Sequence, residues 1–156
     1  MELNNGSLIG KGKTMDNGFA ILLMSHGDFA KEAMKSAELV FGRQENYATV
    51  SVVLADQIDL LKQEMLDKID QLDTSNGLLV FTDIVGGTPM NLAGNLLGRE
   101  NTVVCSGLNL PMLIEALVNR QNQVMNLPDI LKHAYSMGMV IRTELAPEKE
   151  DDDDLL

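Results

Sequence analysis

The chain has 156 residues, of which 45% are hydrophobic, and a formal net charge of −11 at pH 7. This length suits one domain with an ordinary core, and long-range repulsion of phosphates by an acidic protein argues against a nucleic-acid partner. No apolar stretch approaches the roughly 20 residues of a membrane span. The single cysteine, Cys105, cannot form an internal disulfide and no secretory signal is recognised, so we expect a cytoplasmic protein.

The two ends of the chain differ in composition from its centre. Residues 1–17 are rich in Asn, Gly and Lys without sustained periodicity, and we expect a disordered leader or added segment there. Residues 144–156 hold seven acidic residues against one lysine, which is typical of a disordered, solvated tail. The folded domain is therefore expected to span residues 18–143.

Short apolar segments alternate with helical patterns between these ends. Strands are predicted at 20–25, 49–54, 78–82 and 102–106. Their runs of Val, Ile and Leu with few polar residues are typical of strands that are buried on both faces, as in parallel sheets.

Apolar residues at helical spacing predict a helix after each strand and one more near the end. The first apolar face is read as Phe29, Ala33, Ala37 and Val40, and the second as Ile58, Leu61, Met65, Ile69 and Leu72. Further helices are predicted near 89–97, 111–120 and 128–141. This alternation predicts an α/β fold with an open, doubly wound, mainly parallel sheet and helices on both faces.

Two polar residues stand at the carboxyl ends of predicted strands. His26 follows the first strand and Asp83 the third, and ligands of open α/β sheets bind beyond these strand ends. If the two strands are neighbours, their spacing of about 4.8 Å allows a hydrogen bond between carboxylate and imidazole. The second imidazole nitrogen then keeps a lone pair, so we interpret His26 as a nucleophile and Asp83 as the group that orients it.

The segments that follow both residues favour phosphate binding. A helix is predicted just after His26, with Asp28 as its candidate cap, and another at Thr88. Helix N-termini carry about half a positive charge and unpaired N–H groups, which suit a phosphoryl group. Gly86 and Gly87 allow the backbone to approach closely. Phosphoryl transfer needs mainly positioning and charge stabilisation, so we expect no metal and no cofactor.

Residues 21–27, 81–91 and 106–113 resemble, in order and spacing, the mannose-family IIA component of the bacterial phosphoenolpyruvate:sugar phosphotransferase system. The resemblance covers about residues 18–142. It implies that His26 accepts a phosphoryl group from the phosphocarrier protein HPr and donates it to a histidine of the IIB component, with the membrane components IIC and IID involved indirectly.

The same resemblance implies roles for individual residues and for the assembly. Asp83 would orient His26, and Gly86, Gly87 and Thr88 would hold the phosphate. Family members form homodimers that exchange a C-terminal strand, which residues 139–144 would provide here.

Three alternatives remain at this point. A receiver-like domain phosphorylated on Asp83 needs a pair of acids after the first strand to hold magnesium, and only Asp28 is available. A non-catalytic regulatory module would use His26 and Asp83 to sense a ligand. A dihydroxyacetone-kinase phosphodonor subunit has a related domain, for which we expect a different sequence after the third strand.

His133 has no matched acid and is interpreted as structural, as is Cys105.

Overall fold

The computed structural model describes residues 18–53 and 57–145. Its strands are β1 (Ala20–His26), β2 (Tyr47–Val52), β3 (Leu78–Thr82) and β4 (Thr102–Ser106). Its α-helices are α1 (Phe29–Phe41), α2 (Ile58–Asp70), α3 (Thr88–Gly94), α4 (Leu110–Val118) and α5 (Leu127–Gly138). Short 3-10 helices at Asn95–Gly98 and Val124–Asn126 extend α3 and lead into α5. The expected leader and most of the expected acidic tail lie outside the described residues.

The four strands form one parallel sheet in the order β2-β1-β3-β4. β1 is central, with Leu23 paired to Thr49 on one side and to Phe81 on the other. β3 is buried along its whole length, as its continuous apolar run predicts for a strand covered on both faces. β4 is the edge strand of the described sheet on the side of β3.

Helices cover both faces of this sheet. On one face α1, α4 and α5 enclose a core that includes Leu23 and Leu113, and on the other α2 and α3 enclose a core that includes Leu22 and Met65. Leu22 and Leu23 belong to different cores because successive side chains of a strand point to opposite faces. The predicted doubly wound parallel α/β fold is confirmed. No helix among the described residues has the length and apolarity needed to cross a bilayer.

Two predicted boundaries differ from the structure. β2 begins and ends two residues earlier than predicted, because Tyr47 and Ala48 pair with β1 while Val53 is already exposed beyond the sheet. The helix predicted to reach residue 141 ends at Gly138, where a Cβ would stand 2.7 Å from the Pro111 ring. The lack of a side chain at Gly138 thus allows the end of α5 to approach α4 closely.

The predicted apolar face of α1 is wrong in part. Its buried residues are Ala30, Met34 and Ala37, whereas Phe29 and Val40 are exposed. The spacing i, i+4, i+7 is as helical as the predicted one, and small alanines let α1 approach the sheet closely. Periodicity identified the helix but not which of two adjacent apolar stripes faces the core. For α2 the buried residues fall within the predicted set.

Arg120 stabilises the side of the sheet where the amino ends of β1 and β2 lie. Its side chain is buried, with Nε donating to the Phe19 carbonyl at 2.7 Å and one terminal nitrogen donating to the carbonyls of Glu45 and Asn46 at 2.9 Å each. The other terminal nitrogen donates to Gln44 Oε1 at 3.2 Å. Burial lowers the pKa of Arg120 to about 10. This one side chain ties α4 to the start of β1 and to the loop before β2.

Candidate active site

His26 and Asp83 meet at the carboxyl ends of β1 and β3. The register pairs Met24 of β1 with Thr82 of β3, so the two strands leave the sheet side by side. Oδ2 of Asp83 accepts a hydrogen bond from the His26 backbone N–H at 2.9 Å and lies 2.8 Å from His26 Nδ1. The other oxygen, Oδ1, accepts from the Ile84 backbone N–H at 2.9 Å. Three hydrogen bonds therefore fix the carboxylate against the histidine.

The environment of Asp83 determines which imidazole nitrogen is available. Burial acts to raise the pKa of the Asp83 carboxyl, but the hydrogen bonds from His26 and Ile84 outweigh it, and the pKa lies below its ordinary value. An ionised carboxylate only accepts hydrogen bonds, so in the neutral ring Nδ1 carries the proton. Nε2 then has the free lone pair. The His26 side chain is 48% exposed, which leaves this nitrogen accessible to a macromolecular partner.

Gly87 lies against the ring of His26. A Cβ built on Gly87 would stand 2.6 Å from His26 Cε1 and 3.2 Å from Nε2. The φ angle of Gly87 is −90°, which any residue adopts, so the need for glycine here is one of space alone. Gly86 before it is exposed, and Thr88 after it is half-buried at the first residue of α3. The predicted phosphate-binding segment thus begins beside the free edge of the imidazole.

The turn after His26 is organised differently from expectation. Asp28 precedes α1 but forms no capping hydrogen bond through its side chain; its carboxylate accepts from the Ser51 hydroxyl on β2 at 2.7 Å. Asp28 thus occupies the predicted N-cap position, but its side chain does not cap the helix. The hydroxyl of Ser25 accepts instead from the Ala30 backbone N–H at 2.8 Å. Sequence reasoning missed Ser25, although a single serine in a buried apolar strand was a visible signal.

Exposed apolar side chains follow the ends of three strands. We call Phe29, Val53, Ile84 and Val85 the apolar rim; between 50% and 81% of each residue is exposed. They follow β1, β2 and β3 at their carboxyl ends, which form a single edge of a parallel sheet, and so lie on the same side of the molecule as His26. Exposed apolar groups concentrated beside a polar pair are typical of a surface that binds a protein.

A groove of about 660 Å³ runs along the β4 edge of the sheet. We call it the β4 groove; it is lined by Val103, Cys105 and Ser106 of β4 and Leu131 and Tyr135 of α5, and it reaches Asp83. The Ser106 hydroxyl is buried and has no hydrogen-bond partner among the described residues. An edge strand beside an apolar groove can accept a further strand, since its backbone hydrogen-bonding groups are free on that side.

The remaining candidate residues lie apart from the histidine. His133 is exposed on α5. Cys105 lies half-buried in β4, and burial raises the pKa of its thiol, so it is a poor nucleophile near neutral pH. Among the described residues no group of three or more His, Cys, Asp or Glu side chains is arranged to hold a metal ion.

The alternative in which Asp83 itself accepts the phosphoryl group fits this geometry poorly. Both of its carboxylate oxygens are occupied by hydrogen bonds to His26 or Ile84, and only 12% of the side chain is exposed. Asp28, the acid after β1, is bound to Ser51. The His26 side chain, at 48%, is the more exposed of the pair.

Comparison with known proteins identifies the family of this chain. The family model described as the phosphotransferase system (PTS) fructose IIA component matches residues 20–134. The PTS system mannose-specific EIIAB component of Escherichia coli K12 is 34% identical over 104 residues, covering 66% of this chain and 32% of that protein. This chain therefore spans about a third of the length of that relative. The PTS system sorbose-specific EIIA component of Lacticaseibacillus casei is 27% identical over 138 residues, covering 85% of this chain and 98% of that protein.

Solved structures show the same fold. The mannose/sorbose specific IIA subunit of the phosphotransferase system from Enterococcus faecalis is 29% identical and superimposes with a TM-score of 0.71, covering 83% of this chain and 99% of that chain. The phosphotransferase system component EIIA from Streptococcus agalactiae is 27% identical with a TM-score of 0.67, covering 79% and 96% respectively.

Proposed function

Because the chain belongs to the family of PTS fructose IIA components, we propose that it carries a phosphoryl group on His26 during sugar uptake. His26 accepts the group from phosphorylated HPr and passes it to a histidine of the IIB component. The observation that carries the proposal is the 2.8 Å contact between His26 Nδ1 and Asp83, which leaves Nε2 free as the attacking atom.

In the proposed step, the lone pair of Nε2 attacks the phosphorus of the donor. The Nε2–P bond forms while the bond from phosphorus to the donor breaks, and the donor keeps that electron pair. The imidazole of His26 becomes positively charged, with its proton still on Nδ1. Asp83, held ionised by its hydrogen bonds, stabilises that charge, and the reverse displacement transfers the group to IIB.

Gly86, Gly87 and Thr88 hold the phosphoryl oxygens in this proposal. The absence of a side chain on Gly87 leaves space beside Nε2, and the Thr88 hydroxyl follows directly as a donor. The N-terminus of α1, which begins three residues after His26, adds favourable dipole charge. No cofactor is required, since the donor supplies the phosphoryl group.

The apolar rim supports docking of HPr and IIB over the site. Both partners must bring a phosphorylated or acceptor group to within bonding distance of Nε2, so both are expected to use this surface in turn. Exchange requires that each complex dissociate readily, which fits a small set of apolar contacts. The IIC and IID components would be reached only through IIB. We place these events in the cytoplasm.

We further propose a homodimer in which residues 139–144 of each copy add to the β4 edge of the other. Met139, Val140 and Ile141 are 63%, 67% and 75% exposed and have no regular secondary structure in the single chain. They are apolar, as is most of the β4 groove. An added strand would satisfy the free backbone groups of β4 and offer Ser106 a hydrogen-bond partner. The functional domain is then 18–143, with 1–17 and 144–156 outside it.

A labelling experiment tests the phosphocarrier proposal. The protein is incubated with labelled phosphoenolpyruvate, enzyme I and HPr, and the acid and base stability of the bound label are measured. Wild type and the control His133→Ala should take up acid-labile, base-stable label, as phosphohistidine does, and His26→Ala should take up none. Equal uptake by His26→Ala, or a base-labile acyl phosphate, would refute the proposal.

A further inference from the structure

We propose that Ser25 is a positioning residue for phosphoryl transfer at His26, an inference that rests on the proposed function. Ser25 immediately precedes His26 in β1 and is completely buried. Its hydroxyl donates a hydrogen bond to the Gly27 carbonyl at 3.0 Å and accepts one from the Ala30 backbone N–H at 2.8 Å. The side chain therefore joins the turn just after His26 to the start of α1.

This pair of hydrogen bonds restricts the backbone around the reactive residue. Gly27 has φ of +56°, a left-handed conformation that favours glycine, and its N–H donates to the Val52 carbonyl at 2.9 Å. The His26 backbone N–H is held by Asp83. Ser25 supplies the remaining link, because it fixes α1 relative to the strand that carries His26. The start of α1 is thereby held in a fixed position relative to His26.

The charge of the residue that caps α1 also matters. A carboxylate on the first N–H groups of α1 would neutralise the helix N-terminus and repel a phosphoryl group that carries about two negative charges. Asp28, which occupies the usual cap position, is instead bound to Ser51 on β2. Ser25 performs the capping with a neutral hydroxyl. The Ser25 hydroxyl thus satisfies one N–H of the helix without adding to the charge of Asp28 and Glu32, the two acidic residues already at this end.

Three of the other four described α-helices have no N–H at their second residue, and only α2, with Asp59, resembles α1 in keeping one. The second residue of α3, α4 and α5 is proline in each case: Pro89, Pro111 and Pro128. Proline lacks the N–H and is tolerated in the first turn, where that donor has no partner within the helix. At the same position α1 has Ala30, whose N–H is used by Ser25.

The test compares Ser25→Ala with Thr102→Val. Thr102 is also a buried residue whose hydroxyl donates to a nearby carbonyl, that of Glu100. It lies at the start of β4, where the amino ends of the strands lie, and His26 lies at the carboxyl ends. Initial rates of transfer from phosphorylated HPr are measured over a range of donor concentrations, with the free energy of unfolding of each variant. A positioning role predicts that Ser25→Ala lowers kcat by about tenfold or more while KM changes by less than about twofold. Thr102→Val should retain the wild-type kcat.

Ala30→Pro provides a second and independent variant. It removes the N–H that bonds to Ser25 while keeping the Ser25 hydroxyl, and it also adds a proline ring at a buried position, so its free energy of unfolding is measured as well. In the folded variant kcat should fall to a similar extent even if Ser25→Ala fails to fold. A wild-type kcat in either folded variant, or an equal loss of kcat in Thr102→Val, would overturn the role of Ser25 and leave the proposed function standing. Label uptake by His26→Ala in the same assay would overturn the proposed function and the role of Ser25 with it.

Discussion

Asp83 holds His26 at two points, because a single carboxylate oxygen accepts from the backbone N–H at 2.9 Å and lies 2.8 Å from Nδ1 of the ring. The carboxylate of Asp83 thus fixes both the end of β1 and the orientation of the His26 ring. The backbone contact does not depend on the ring, so Asp83 also contributes to joining β1 and β3 at this edge.

Replacing Asp83 by asparagine should slow phosphoryl transfer on the order of a hundredfold, because a neutral amide cannot stabilise the positive charge that develops on His26. The amide keeps one oxygen as an acceptor, so the fold should persist. The rate of label uptake from phosphorylated HPr measures the effect, with the exposed Asp59→Asn as control. An unchanged rate would remove Asp83 from the mechanism.

The hydrogen bonds to Asp83 should make stability depend on pH in the acidic range. Its pKa in the folded protein lies below the value of about 3.9 expected in the unfolded chain, so its contribution is present above about pH 4 and is lost as the pH falls through the folded value. Urea unfolding at pH 7 and at pH 3 of wild type and Asp83→Asn measures this. The difference between the two proteins should shrink at the lower pH; a constant difference would contradict the assignment.

Gly87→Ala should reduce transfer at least about tenfold, because its methyl group would displace the His26 ring from the phosphoryl position. Backbone strain is not expected, since φ at Gly87 is −90°. Gly94→Ala is the matched control: it lies in α3 with no atom within 4 Å of the added Cβ, and it should raise stability by about 0.5–1 kcal/mol without affecting transfer. Equal rates in both variants would show that the close approach at Gly87 is unimportant.

Arg120→Met should lower the free energy of unfolding by about 3 kcal/mol, since it removes a buried guanidinium that donates to three carbonyls in two segments, those of Phe19, Glu45 and Asn46. Arg120 lies at the amino ends of the strands and His26 at the carboxyl ends, so the rate of transfer at 25 °C should be unaffected while the protein remains folded. Chemical denaturation measures the loss, with the exposed Arg99→Met as control. A loss equal to that of Arg99→Met would show that the buried hydrogen bonds add little.

A chain that ends at Gly138 should be monomeric, because it lacks the residues proposed to add to the β4 edge of a second copy. A chain that ends at Pro147 keeps those residues and should remain a dimer with full transfer activity despite losing most of the acidic tail. Sedimentation velocity gives the oligomeric state and label uptake the activity. A dimer of the shorter chain would refute strand exchange, and loss of activity in the longer chain would indicate that the tail takes part in docking.

Much of the fold was predictable from local pattern. Strands at 78–82 and 102–106 were predicted to the residue, because each is a compact, mostly apolar run bounded by glycine, asparagine or aspartate. Helix α1 was predicted as a helix but with the wrong stripe toward the core. Either stripe has helical periodicity, and only the packing of Ala30 and Met34 against the sheet distinguishes them.

The sequence by itself determined the parallel α/β architecture and the placement of His26 and Asp83 at strand ends, since apolar runs and intervening helices depend on residues close together in the chain. Only the tertiary structure decided that β1 and β3 are neighbours, that the side chain of Ser25 rather than that of Asp28 makes the capping hydrogen bond of α1, and that Arg120 is buried. Those outcomes depend on contacts between residues far apart in the chain, or on competition between two possible hydrogen-bond acceptors. Local composition does not determine which contact is the more favourable.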